Sequence, residues 1–163
     1  MIDGFARKVG DDINTDLIIS SKHKRDSYDP KVMCTHLFED LDPAFYSRIL
    51  EGDILVAGSN FGCGSSREHA AHVIKVAGIS AVLAKSFARI FFRNAINIGL
   101  PLLECDTDGI AEGDRLVIDL KNGTITDINT NQKMTFGSLS PAIEGIFQEG
   151  GLVNYLIKYG KFE

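Results

Sequence analysis

The sequence predicts a mixed α/β fold: one domain with a partly parallel sheet flanked by helices and an antiparallel hairpin towards the C-terminus. Three observations predict it. The middle third alternates short apolar, β-branched runs with segments of helical period, a pattern that pairs strands in parallel and packs helices on the sheet. The final third instead carries closely spaced short strands around Asn122-Gly123, a strong hairpin turn. A chain of 163 residues, 44% hydrophobic and 24% charged, has the length and balance of one globular domain with a full core.

The elements follow in order. Residues 5–9 and 17–19 read as short strands, separated by the turn-like Gly10-Asp11-Asp12. Residues 20–28 are polar and basic, Ser-Ser-Lys-His-Lys-Arg-Asp-Ser-Tyr, as in a solvated loop. A helix is expected over 31–39, broken by Asp42-Pro43, and a strand over 53–58. Over 66–77 the apolar residues Ala70, Val73, Ile74 and Ala77 form one helical stripe, and Gly78 stands where a left-handed cap belongs. A buried strand follows over 79–84, a second helix over 87–98 stopped by Gly99 and Pro101, and a strand over 102–105. Strands over 115–120, 124–129 and 133–136 and a helical tail over 142–159, interrupted by Gly150-Gly151, complete the chain.

Composition excludes several function classes. A formal net charge of −5 argues against a general nucleic-acid or membrane-surface role, because phosphate binding needs a basic face. No apolar run reaches the length that spans a bilayer. The N-terminus, Met-Ile-Asp-Gly-Phe-Ala-Arg-Lys, lacks the apolar core of a signal peptide, so a cytoplasmic location is expected. Cys34, Cys63 and Cys105 stand far apart with no CxxC pair. This argues against a disulfide framework and against a metal site built by this chain alone.

The most informative stretch lies between a strand and a helix: Gly58-Ser-Asn-Phe-Gly-Cys-Gly-Ser-Ser-Arg-Glu-His-Ala70. Gly58, Gly62 and Gly64 allow sharp turns and close approach to a ligand. After them come two hydroxyls, a guanidinium, a carboxylate and an imidazole at a helix mouth, whose unpaired N–H groups and partial positive charge favour an anion. Arg67 adds a planar fork suited to a carboxylate or phosphate. The same letters also fit a capping box, with Ser65 as N-cap and Glu68 at the third helical position. The glycines match neither a phosphate loop nor the dinucleotide fingerprint. Cys63, inside the loop, reads either as a reactive thiol or as a small packing residue.

Three motifs together resemble the aconitase superfamily, specifically its swivelling domain and the small-subunit family of 3-isopropylmalate dehydratase (isomerase). They are Asp11-Asp12-Ile13-Asn14-Thr15-Asp16, Asn60-Phe61-Gly62-Cys63-Gly64-Ser65-Ser66-Arg67-Glu68, and the run from Ser86-Phe87-Ala88-Arg89 through Phe92-Arg93-Asn94 to Gly99-Leu100-Pro101. The resemblance runs essentially end to end and implies a swivelling domain over residues 1–163. It implies a hydro-lyase that moves a hydroxyl between neighbouring carbons of a small hydroxy-carboxylate substrate by dehydration and rehydration. In that family a [4Fe–4S] cluster acts as Lewis acid, held by cysteines of a separate large subunit. The resemblance therefore implies that this chain binds no cofactor itself, and that it works only in a heterodimer or heterotetramer with that partner.

Residue by residue, the family's catalytic base falls on Ser65, which must act as an alkoxide favoured by the helix terminus and the adjacent guanidinium. Ser66 matches a substrate-binding position, and Arg67 the arginine that clamps a substrate carboxylate. Asp16 matches an acidic active-site position. Cys63, Glu68 and His69 fall inside matched motifs without an assigned chemical role, and Arg93 and Asn94 read as packing or subunit-contact residues. The departure lies after Ile19, where Lys22-His23-Lys24-Arg25 matches neither the apolar loop suited to an isopropyl group nor the familiar placement of an arginine for an extra carboxylate. Arg25 is the candidate substrate-binding residue there. The expected reaction is 3-isopropylmalate/2-isopropylmalate isomerisation in leucine biosynthesis. A homoaconitase or 2,3-dimethylmalate dehydratase small subunit is the alternative, and a non-catalytic anion-binding module the alternative of another class.

Overall fold

The computed structural model describes residues 1–25 and 29–161, with the side chains of Lys24 and Arg25 outside the described set. Among the described residues seven strands form one sheet: β1 (Ile2–Lys8), β2 (Ile54–Val56), β3 (Ala81–Ala84), β4 (Leu102–Glu104), β5 (Arg115–Asp119), β6 (Thr124–Asp127) and β7 (Lys133–Thr135). Their spatial order is β4-β3-β2-β1-β5-β6-β7. The strands β1 to β4 pair in parallel. On the far side of β1 the pairing becomes antiparallel, through β5, β6 and β7.

β1 is the junction and divides its length between the two regimes. Ile2 to Phe5 register antiparallel with β5, while Ala6 to Lys8 register parallel with β2. Gly4 sits where the chain tolerates no side chain, since a Cβ there would lie 2.1 Å from the carbonyl oxygen of Gly52. Arg7 anchors the start of β2 by an ion pair to the buried Asp53, 2.5 Å away. Asp53 also accepts from the backbone N–H of Leu50 at 2.9 Å, so the buried charge is both paired and hydrogen-bonded.

Period-two alternation along the parallel strands sorts side chains to two faces. Leu55, Val82, Ala84 and Leu102 join the helices in one core, and Ile54, Val56, Ala81, Leu83 and Leu103 join Leu116, Ile118 and Ile125 in another. The first core is roofed by α3 (Glu68–Val76) and α4 (Arg89–Asn97), each linking consecutive parallel strands, with α1 (Thr15–Ile18) and α2 (Pro30–Met33) beside them. The tail forms α5 (Pro141–Gln148) and α6 (Leu152–Tyr159), separated at Gly150 and Gly151 as expected.

Two expectations are corrected. Residues 17–19 are not a strand but fall at the end of α1. The Asn14 side chain accepts from the backbone N–H of Leu17 at 2.9 Å, and this N-cap outweighs the β-branched character of the run. The helix expected over 31–39 is only the single turn α2, followed by a 3-10 turn Cys34–His36. Phe38 then takes a positive φ of 55° and donates its N–H to Ile18 at 3.0 Å. The tie to α1 buries Leu37 and Phe38 completely, a tertiary gain that ends the helix. Among the described residues no helix is long and apolar enough to cross a membrane.

Candidate active site

The three sequence motifs meet at the ends of the parallel strands. The glycine loop after β2 is stitched to the first motif by three backbone hydrogen bonds, Asp12 N–H to Ser59, Gly62 N–H to Ile13 and Thr15 N–H to Cys63, at 2.9, 2.8 and 2.9 Å. The Asp11 carboxylate accepts from the Ser59 N–H at 2.6 Å, and Asn60 donates its side-chain amide to Asp12 at 2.9 Å. The third motif holds the loop from the other side. Ser86 accepts from the N–H groups of Asn60, by its hydroxyl at 2.8 Å, and Phe61, by its carbonyl at 3.0 Å.

Beneath the loop, the fully buried Phe61 meets Phe87 and Phe91 edge to face, with centroids 6.2 and 5.2 Å away. Gly62 lies over this cluster at φ 80°, and a Cβ on it would fall 2.3 Å from Phe91 Cγ. The glycine is therefore required twice, for its backbone conformation and for the absence of a side chain. Gly64, at φ 93°, then turns the chain towards Ser65.

The capping-box expectation is corrected here. Helix α3 begins at Glu68, its N-cap is Arg67, and no side chain caps it. Ser65 is two residues too early: its carbonyl accepts from Arg67 N–H at 2.8 Å, closing a tight turn ahead of the helix. That turn releases the Ser65 hydroxyl from any capping duty. It is exposed, and its oxygen stands 3.4 Å from the hydroxyl of Thr15. Thr15, almost fully buried, also donates to the Ser65 carbonyl at 3.0 Å.

Arg67 leans across to the first motif. Its guanidinium forms an ion pair with the Asp16 carboxylate and donates to the Ile19 carbonyl at 3.3 Å. The Arg67 side chain is 16% exposed and that of Asp16 57%, so the pair stands at the rim with the carboxylate outward. A cavity of about 350 Å³ opens beside it, lined by Ser66, Arg67, His69, Arg93 and Asn94 among others. Apart from Ile90 its walls are polar, and two guanidiniums against the single carboxylate of Glu68 suit it to an anionic guest.

Ser65, Arg67 and Asp16 thus come together, and Ser66 lies next to them at the cavity. The backbone of Arg25 ends a 3-10 turn Ser21–Arg25, but its side chain lies outside the described residues, as do 26–28. Sequence reasoning missed Thr15, whose hydroxyl stands 3.4 Å from that of Ser65. Its signal was present, since it stands inside the first motif, yet a buried threonine is indistinguishable from packing until its partner is known.

The chain's cysteines do not suit an iron–sulfur cluster. Cys34 is buried in the helical core, where its thiol donates to the Lys31 carbonyl at 3.3 Å, and Cys105 belongs to the opposite core. Burial pushes the Cys105 thiol up to about 11, disfavouring the thiolate that ligates iron. Cys63 alone stands in the glycine loop.

Comparison with known proteins agrees with this geometry. The aconitase C-terminal domain family matches residues 14–107, which take in the end of the first motif and the whole of the other two. A 3-isopropylmalate dehydratase small subunit of Caldanaerobacter subterraneus is 51% identical over 155 residues, covering 94% of this chain and 96% of that protein. The small subunit 1 of Thermotoga maritima is 46% identical over 163 residues, covering 99% and 98%. The crystal structure of 3-isopropylmalate dehydratase from Methanocaldococcus jannaschii superposes with a TM-score of 0.92 at 46% identity, covering 98% of this chain and 95% of that one. Identity at this level over almost the whole chain, with the family match and the superposition, places the chain in the small-subunit family of 3-isopropylmalate dehydratase, within the aconitase superfamily.

Proposed function

We propose that this chain is the small subunit of a heteromeric hydro-lyase that interconverts 3-isopropylmalate and 2-isopropylmalate in leucine biosynthesis, with residues 1–163 as its swivelling domain. The partner is a large subunit, in a heterodimer or heterotetramer located in the cytoplasm. A [4Fe–4S] cluster belongs to that partner, where it supplies Lewis-acid chemistry at the substrate hydroxyl; the cysteines here offer no such site. The observation that carries the reading is the meeting of Ser65, Arg67 and Asp16, from two motifs about 50 residues apart, at one exposed rim.

This chain's own contribution then follows from its groups. Arg67 binds a substrate carboxylate through its planar fork, with Asp16 holding the guanidinium in place until substrate arrives. That contact sets the substrate carbon beside Ser65. The Ser65 oxygen, as alkoxide, takes the proton from the carbon next to the carbinol while the hydroxyl leaves with its bonding pair as hydroxide; that proton and hydroxide together make up the one water removed, and the product is an unsaturated dicarboxylate. Return of that proton from Ser65 and of hydroxide, with the two carbons exchanged, gives the isomer and restores the alkoxide. Positive charge from Arg67 favours the alkoxide, while the Thr15 hydroxyl, donating to the Ser65 carbonyl at 3.0 Å, holds the Ser65 backbone in place. Ser66 orients the bound acid, and Arg25 is assigned to the part of the pocket that meets the side chain.

Anaerobic reconstitution with the large subunit tests the reading against 3-isopropylmalate, 2,3-dimethylmalate and a homoaconitate-type tricarboxylate. Turnover preferring 3-isopropylmalate, and absent without the partner, is expected. Preference for the tricarboxylate would reassign the substrate. Absence of turnover on all three by a complex with an intact cluster would reduce the chain to an anion-binding module.

A further inference from the structure

A second cluster of donor side chains stands at the base of the 20–28 loop, separate from the Ser65–Arg67 group. His23 lies in the turn Ser21–Arg25, His36 closes the turn Cys34–His36, and Glu39 follows three residues later. His36 Nδ1 contacts the Glu39 Oε2 atom, and His23 Nε2 lies 3.2 Å from the same oxygen. The two imidazoles stack with centroids 3.8 Å apart and planes 11° from parallel. One nitrogen from each ring and one carboxylate oxygen therefore lie within 4.8 Å of one another.

The arrangement leaves a polar atom unsatisfied. His23 Nε2 is shut off from solvent and has no hydrogen bond, a costly state for a ring nitrogen. The His23 side chain is 13% exposed, so water does not readily repair the deficit. Lys22 Nζ contacts the other Glu39 oxygen, Oε1, at 3.2 Å and Asp40 at 2.9 Å. That leaves Oε2 for the two histidines. Two imidazole nitrogens and a carboxylate oxygen facing one small volume are the donor set of a divalent transition metal.

We propose that His23, His36 and Glu39 form a metal site for zinc, with water in the fourth position. Coordination requires one imidazole to turn out of the stack, because both nitrogens must aim at a common point. The ion joins the first turn of the 20–28 loop to the Cys34–Glu39 segment, fixing the base of the loop assigned above to substrate side-chain contact. The proposal does not depend on that assignment, and its test requires no turnover.

The probe is zinc chloride titrated into the full chain carrying Cys63→Ser, which removes the accessible loop thiol as a competing ligand. Calorimetry should give one zinc per chain, weakened about tenfold or more by His23→Gln or Glu39→Gln and unchanged by His72→Gln on α3. Long-range proton–nitrogen spectra of the unsubstituted histidines should show zinc moving the ring nitrogens of His23 and His36, which decides the matter even if a variant misfolds. Equal affinity in a folded His23→Gln variant, less than one zinc per chain, or shifts confined to His69 and His72 would overturn the site.

Discussion

Replacing Ser65 by alanine separates a chemical role from a structural one, because the fold asks so little of this hydroxyl. It caps no helix, is exposed, and its side-chain contact is the 3.4 Å approach to Thr15. Loss of a true N-cap would cost about 0.5–2 kcal/mol, whereas an exposed substitution of this kind stays within about 0.5 kcal/mol. The melting temperature should therefore fall by no more than about 2 °C. Loss of a positioned base, in contrast, removes about 10²–10⁴-fold in rate, or roughly 2.7–5.5 kcal/mol of transition-state stabilisation. The assay is kcat and KM for 3-isopropylmalate in the anaerobically reconstituted complex, following the ultraviolet absorbance of the unsaturated intermediate, with the cluster spectrum as control. A collapse of kcat with unchanged melting and assembly is expected. Retention of most of the wild-type kcat would refute the assignment of Ser65 as base, since no capping role remains to explain its position.

Arg67→Lys should also lower kcat/KM strongly with the cluster spectrum unchanged, because lysine keeps the charge but cannot hold a carboxylate with a planar fork; a near-normal value would make the Asp16 ion pair purely structural. Gly62→Ala should lower the melting temperature, adding about 1–2 kcal/mol of left-handed backbone strain to about 1–3 kcal/mol from displacing the Phe91 ring; unaltered melting would show that the loop shifts freely. Alkylation at pH 8 should modify Cys63 well before Cys105, whose thiol, pushed up to about 11 by burial, stays protonated. Since that pKa is raised on folding, its stabilising contribution is full below the ordinary thiol value of 9.0 and is lost as pH rises towards 11, which pH-dependent denaturation measures. Arg25→Ala should change discrimination among the three substrates only modestly if isopropylmalate is the natural one; a selective loss on the tricarboxylate would overturn that choice.

The parallel strands and the hairpin limb were legible because their signals are local. The apolar runs at Ile54 and Ala81, the helical stripe from Ala70 to Ala77 and the Asn122-Gly123 turn each declare themselves within a few residues. The failures occurred where a distant contact overrode a local preference. Leu17 to Ile19 look like a strand until Asn14 is seen capping them, and the helix after Pro30 stops because Phe38 bonds to Ile18. At the candidate site, the motifs singled out Ser65, Arg67 and Asp16. Their meeting could not be read from spacing, because it depends on backbone bonds between Ile13 and Gly62 and between Thr15 and Cys63. The capping box misled because Ser65-Ser66-Arg67-Glu68 obeys the local rule, while the Gly64 turn delays the helix to Glu68. The histidine cluster left no local trace, since His23 and His36 come together only across two separate turns.

The position of β1 carries a consequence for how the chain reaches its native state. Its first half is completed only by Leu116, Val117 and Ile118, more than a hundred residues later, while its second half needs Ile54 to Val56. Neither partner exists when β1 leaves the ribosome, and even after β2 is made the strand must wait through most of synthesis with its other edge unpaired. Closing such distant pairings is entropically slow. The parallel half, which carries the glycine loop, can assemble around residue 104, but β1 gains its second neighbour only when β5 arrives. A nascent chain stalled before residue 115 should therefore expose an open strand edge beside an almost complete site, and would be a poor scaffold on which to begin subunit assembly.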